Sequence, residues 1–149
     1  MADRSWHELA ETVRPRADAF IDGEPAMAVS GRRLPSVNPA TGAVLAEVAA
    51  CDATDVDRAV AAARHAFADG RWAGAAPGHR KSVLLRLAEL IRANADELAL
   101  LDSLDAGKLI SDTSSIDVPG SAAILQWYAE TIDKAYGEIA PTGRGDLAL

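Results

Sequence analysis

The sequence predicts an α-rich chain that opens with a short β-meander and closes on a strand. Three observations carry that expectation. Before Cys51, short apolar runs alternate with turns built on Gly, Pro, Asn and Asp; beyond it, apolar residues recur at three- and four-residue spacing. From Glu138 onward that spacing is lost and the chain reverts to strand and turn.

In chain order, Trp6, Leu9 and Val13 fall at helical spacing, and Pro15 disfavours helix at Arg14, which predicts a short leader helix within residues 1–18. Phe20-Ile21 before Asp22-Gly23 reads as a strand entering a hairpin turn. Ser30-Gly31-Arg32-Arg33 is a second turn before Leu34–Val37, and Asn38-Pro39-Ala40-Thr41-Gly42 a third before Val44–Val48. Together these segments make the meander.

Thr54-Asp55-Val56-Asp57 resembles a capping box, with acids in the first turn where the helix dipole favours them. Val56, Val60, Ala63 and Phe67 should then fall on one face, ending at Gly70. A further helix opens near Pro77-Gly78-His79-Arg80 and buries Leu84, Leu87, Ile91 and Leu98, with a break near Asn94. Arg80, Lys81, Arg86, Glu89 and Arg92 form its solvated side. Leu98–Leu104 stays helical until Gly107 supplies a left-handed cap. Ser111 or Asp112 should cap a last long helix, kinked at Pro119-Gly120, that carries Ile124, Trp127, Tyr128 and Ile132 to Gly137.

Composition narrows the function classes. The chain has 149 residues, enough for one domain, with 15 Lys plus Arg against 22 Asp plus Glu and a formal net charge of -7. That acidic balance, with no basic stripe, argues against nucleic-acid binding. Residues 1–16 carry charges throughout and show no secretory signal; no run of about 18 apolar residues suggests a membrane span. One cysteine implies no intramolecular disulfide, so the cytoplasm is the expected compartment.

Candidate chemistry is sparse. Cys51, beside Asp52 and with no His nearby in sequence, reads as a buried structural cysteine. His7, His65 and His79 have no partner at metal-ligand spacing. Gly107-Lys108 is followed by Leu109, which breaks a phosphate-binding loop, and Gly137, Gly143 and Gly145 do not space as a dinucleotide fingerprint. Arg144-Gly145-Asp146 is a chance triplet. The residues alone name no catalytic constellation.

Longer phrases are more specific. Phe20-Ile21-Asp22-Gly23-Glu24, Val37-Asn38-Pro39-Ala40-Thr41-Gly42, Asp55-Val56-Asp57-Arg58-Ala59-Val60-Ala61-Ala62-Ala63-Arg64 and Leu104-Asp105-Ala106-Gly107-Lys108 resemble, in this order, the N-terminal portion of an NAD(P)-dependent aldehyde dehydrogenase. Ile116–Ala122, Trp127–Glu130 and Ile132–Glu138 resemble the γ-glutamyl-γ-aminobutyraldehyde dehydrogenase branch of putrescine breakdown, and the leader fits that branch too.

The resemblance implies a three-domain α/β parent fold. Residues 1–18 would be a leader helix, 19–137 the N-terminal part of the cofactor-binding domain, and 138–149 the truncated start of the oligomerisation arm. The parent activity would oxidise an aldehyde, an amino-aldehyde by the branch resemblance, to the acid with NAD or NADP through a cysteine thiohemiacetal. The family's catalytic and cofactor residues would lie beyond Leu149, so this chain is expected to be an inactive fragment with no catalytic or cofactor-binding residue and no cofactor bound. The site that the resemblance does place here is a monovalent-cation contact at Val37, through its carbonyl, and Asp105. The competing role for Asp105 is a pairing with Lys108 or a turn cap. Homo-oligomerisation is expected through the arm 138–149 and helix residues 121–136, with the aldehyde a partner of the parent alone and neither nucleic acid nor membrane a partner. The contrasting expectation is a free-standing helical interaction or regulatory module.

Overall fold

The computed structural model describes residues 5–135. Its first element, α1 (Trp6–Thr12), is opened by a reciprocal capping box: the Glu8 N–H donates to Ser5 Oγ and the Ser5 N–H donates to the Glu8 carboxylate. It ends at Val13, whose backbone is already extended, one residue before Arg14, where Pro15 disfavours helix. Strands β1 (Ala19–Ile21) and β2 (Glu24–Ala26) pair antiparallel around Asp22 and Gly23. Both turn residues have positive φ, 55° and 84°, the conformation that a tight hairpin of this twist requires.

Strands β3 (Arg33–Val37) and β4 (Val44–Ala49) form a second antiparallel pair. The expected meander is therefore two separate hairpins rather than one sheet. The physical reason lies in the connection: the turn at Ser30 and Gly31, with Gly31 at φ 69°, redirects the chain, and β2 is only three residues long. In the second pair the register slips between Ser36 and Val37, so that Ser36 faces Ala46 while Val37 faces Val44. Leu45 is thus the extra residue of a β-bulge.

Helix α2 (Ala53–Ala68) begins two residues earlier than its sequence suggests. Its N-cap is Asp52, not Thr54: the Asp52 carboxylate accepts the Thr54 N–H at 2.9 Å, and the Asp55 carboxylate reaches back to the Asp52 N–H at 3.2 Å. The apolar face of this helix is open. Val56 is 57% and Phe67 75% exposed, and Val60 is exposed as well. Asp55 is the buried member of this helix instead.

Pro77 opens α3 (Pro77–Ala93) at a position where a missing N–H costs nothing. Asn94 breaks it from α4 (Ala95–Ala106), as expected. Of the four residues expected on its buried stripe, Leu84 and Ile91 are half-buried, whereas Leu87 and Leu98 are exposed. Gly107 closes α4 in the left-handed conformation, φ 73°, its N–H donating to the Ser103 carbonyl.

The last helical stretch starts at Ile110, so neither Ser111 nor Asp112 is its cap. A short turn α5 (Ile110–Asp112) runs into a π-helical segment (Thr113–Asp117) and then α6 (Val118–Thr131), closed by a 3₁₀ turn (Ile132–Lys134). The expected kink at Pro119-Gly120 is thus preceded by a widened turn. Proline cannot donate to the carbonyl four residues back, and the Val118 N–H already bonds the Thr113 carbonyl five residues back.

The core sits between α3 and α6, which run antiparallel. On α6, Val118, Ala122, Leu125 and Ala129 follow a 4-3-4 spacing, and three of them are buried. Ala88 on α3 and Ala99 and Leu100 on α4 are buried as well. Small alanines let these helices approach closely. Two polar links fix the α3–α6 register: Lys81 Nζ donates to Asp133 at 2.8 Å near the start of α3, and Arg92 donates to Gln126 at 2.5 Å near its end. The presumed solvated side of α3 therefore carries part of the packing.

Candidate functional site

The place where the two most specific sequence phrases meet is the contact between the β3–β4 hairpin and the end of α4. Asn38 organises the hairpin turn. It is buried, its side-chain oxygen accepts the Ala40 N–H at 2.8 Å, its N–H donates to the Ala43 carbonyl, and its own carbonyl accepts the Gly42 N–H. Gly42 has φ 74°, which glycine adopts without strain. Pro39, in the same turn, lies against Gly107.

Asp105 stands in the last turn of α4 and accepts a hydrogen bond from Ser36 Oγ at 2.6 Å, across 69 residues of sequence. Val37 follows Ser36 directly at the bulge. The two residues expected to contact a cation are thus carried on elements that this bond joins. Asp105 does not take its expected alternative partner: Lys108 pairs with Asp117, whose carboxylate raises the lysine pKa. Ser103 Oγ, rather than Asp105, accompanies that turn by donating to the Lys108 carbonyl.

A cleft of about 380 Å³ opens beside this contact, lined on one side by Ser36, Ala46 and Val48 and on the other by Leu101, Asp102 and Asp105. Pro15 and Arg16 of the leader complete it. Asp102 and Asp105 are three residues apart in a helix and so share a face. The cleft thus carries two carboxylates and the Ser36 hydroxyl among mainly apolar side chains, and Val37 is not part of its lining. Sequence reasoning missed Ser36, Asp102 and Arg16. The one local signal was a polar Ser36 inside the apolar run Leu34–Val37; nothing local pointed to the other two.

Cys51 is exposed, which corrects its expected burial. It sits between the end of β4 and the Asp52 cap, after half-buried Ala49 and Ala50. His7, His65 and His79 lie on different helices or ends of them, and among the described residues no three metal-ligating side chains converge. No helix of the described residues is long and apolar enough to cross a membrane. The tail residues 138–149, expected to form an arm, lie outside the described residues.

With this geometry in place, comparison with known proteins defines the class. Residues 27–149 match the aldehyde dehydrogenase family. The chain belongs to that family. It is 50% identical over all 149 residues to the aminoacetaldehyde dehydrogenase of Pseudomonas aeruginosa, covering 30% of that protein. Over 144 residues it is 43% identical to the NADP/NAD-dependent aldehyde dehydrogenase PuuC of Escherichia coli, covering 97% of this chain and 29% of that one.

Among solved structures, a γ-glutamyl-γ-aminobutyraldehyde dehydrogenase from Burkholderia cenocepacia superposes with a TM-score of 0.91 at 51% identity, covering 93% of this chain and 28% of that one. An indole-3-acetaldehyde dehydrogenase of P. syringae, solved as a mutant with NAD+ and IAA, gives 0.93 at 46% identity, covering 95% and 29%. The chain therefore spans under a third of the length of these relatives. Its helix-rich fold with short strand pairs matches one part of the aldehyde dehydrogenase fold.

Proposed function

We propose that this chain is the N-terminal part of an enzyme that oxidises an amino-aldehyde to its carboxylic acid with NAD or NADP. The observation that carries the reading is the 50% identity, over all 149 residues, to an aminoacetaldehyde dehydrogenase. In this reading residues 19–137 begin the cofactor-binding domain and 138–149 begin an oligomerisation arm. The chain supplies scaffold rather than chemistry: Cys51, its one thiol, is exposed, and no histidine lies near it in sequence to act as a base.

Its local contribution is the cation contact expected at Val37 and Asp105. Asp105 offers a carboxylate and the Val37 carbonyl a neutral oxygen, and Ser36 holds the carboxylate toward the hairpin. Two oxygens are too few for a selective alkali site, so the contact contributes to stability and salt response rather than to the reaction.

The test uses the intact protein. Reduction of NAD or NADP is followed with aminoacetaldehyde, a γ-glutamylated amino-aldehyde and an apolar aldehyde such as benzaldehyde. Preference for the amino-aldehydes supports the reading; turnover confined to the apolar aldehyde defeats it. For the cation contact, melting temperature is measured across a potassium titration. A rise in the wild type that Asp105→Asn removes supports it, and identical curves for both proteins reject it.

A further inference from the structure

The leader lies outside the matched family segment, which begins at residue 27, yet within six residues it touches three parts of the fold. Val13 is buried directly after α1, the helix that packs on α4, and Arg14 and Arg16 line a cleft with Glu97, Leu98 and Leu101 of α4. Pro15 and Arg16 wall the cleft that holds Asp105. The Ala17 carbonyl accepts the Ala49 N–H at 2.8 Å at the end of β4, and Asp18 pairs at 2.6 Å with Arg33, which itself donates to the Glu47 carbonyl. One short segment thus bridges α4 and the β3–β4 hairpin, the same two elements that Ser36 and Asp105 join.

Besides the leader, the Ser36–Asp105 bond and the Pro39–Gly107 contact join α4 and the hairpin, both near the tip of α4. The other end of α4 starts at Asn94 with no side-chain cap. Buried Ala99 and Leu100 seat α4 on the helical core, so the leader and these two contacts together place its last turn on the hairpin.

We infer that Val13–Asp18 is a clamp that positions the last turn of α4 on the β3–β4 hairpin and so sets Asp105 against Ser36. Val13 is the anchor on the helix side; Ala17 and Asp18 are the anchors on the hairpin side. Its role is independent of whether a cation binds.

Hydrogen exchange of the intact protein, read by mass spectrometry on peptides spanning 101–108 and 118–131, tests this. In Val13→Asp, amides of 101–108 should exchange at least about tenfold faster while those of α6 keep their wild-type rate. Unchanged exchange at 101–108, or equal acceleration in both peptides, overturns the clamp. Should Val13→Asp fail to fold, Val13→Ala is read in the same way, and Val13→Ile should restore the wild-type pattern. A cycle adds a second readout: Val13→Ala combined with Ser36→Ala should change the unfolding constant by less than the product of the two separate fold-changes. A simple product would show that the leader and the Ser36–Asp105 bond act separately, and would overturn the inference.

Discussion

Gly107 lies so close to Pro39 that a Cβ built on it would stand 2.7 Å from the proline Cγ. The glycine therefore serves two purposes: its φ of 73° ends α4, and its missing side chain admits the hairpin turn. Gly42 has nearly the same φ, 74°, but open space around it.

The pair makes a controlled comparison. Gly42→Ala should cost the left-handed penalty alone, about 1 kcal/mol. Gly107→Ala adds overpacking against a rigid ring and should cost about 2–4 kcal/mol in total. Urea unfolding of both variants measures the difference. Equal losses would mean that the hairpin yields freely around Gly107.

Asp55 should be the most acid-sensitive group of α2. It is 1% exposed, and its carboxylate accepts the Val29 N–H at 3.0 Å and the Asp52 N–H at 3.2 Å, with Arg58 alongside. These bonds, the one from Asp52 first, hold its carboxyl below the ordinary 3.8. A lowered folded-state pKa adds stability above the unfolded value, which is lost as pH falls through the folded one. At neutral pH, Asp55→Asn should therefore lower the melting temperature by about 5 °C or more. That gap should shrink below about pH 4. Calorimetry across pH checks it, and a gap that stays constant into acid would contradict the assignment.

Asp133 behaves alike for a different reason. Hydrogen bonds from Lys81 and then Lys134 bring its carboxyl down to about 2. Its contribution to the α3–α6 packing is present above the ordinary 3.8 and disappears as pH falls toward about 2. Lys81→Met should move the Asp133 titration, followed by carboxyl-carbon NMR, back toward the ordinary range. A midpoint that stays near 2 would assign the shift to Lys134 alone.

How much of this was legible depends on sequence distance. Asp22-Gly23, the Asn38–Gly42 turn and the Gly107 stop were readable because each is a local demand on φ that few residues meet. The α2 cap was misplaced by two residues because Asp52 and Thr54 both offer a capping oxygen, and the choice rests on where Asp55 can reach Val29. Apolar spacing found the α2 helix but not its surroundings, since periodicity says which side is apolar and not what covers it. The Ser36–Asp105 bond and the leader's wall of the cleft join distant segments, and no local pattern encodes them.

Cys51 should react in the native protein. Because its side chain is exposed, a thiol reagent should titrate one equivalent per chain without denaturant. Cys51→Ser should change stability by no more than about 0.5 kcal/mol, as for a surface substitution. Labelling that appears only on unfolding would restore the buried role expected from sequence.

Self-association should run through α6. Its inner stripe of Val118, Ala122 and Ala129 is spent on the core, but Ile124, Trp127 and Tyr128 lie outside that stripe and each is about 60% exposed. Trp127 and Tyr128 meet edge to face, their ring centroids 4.9 Å apart, so they present one joined aromatic surface. Contiguous apolar area of this kind marks an interaction surface, and pairing of identical chains about a two-fold axis covers the same patch on both at once. The net charge of -7 opposes association at long range, so the dimer should strengthen as salt screens it. Sedimentation equilibrium of the 149-residue chain at micromolar concentration should therefore give a dimer mass that rises in population with ionic strength. Trp127→Glu, which places a charge at the centre of the patch without touching the α3 contact, should return the monomer mass. A monomer for the unsubstituted chain at every salt concentration would remove α6 as a self-association surface.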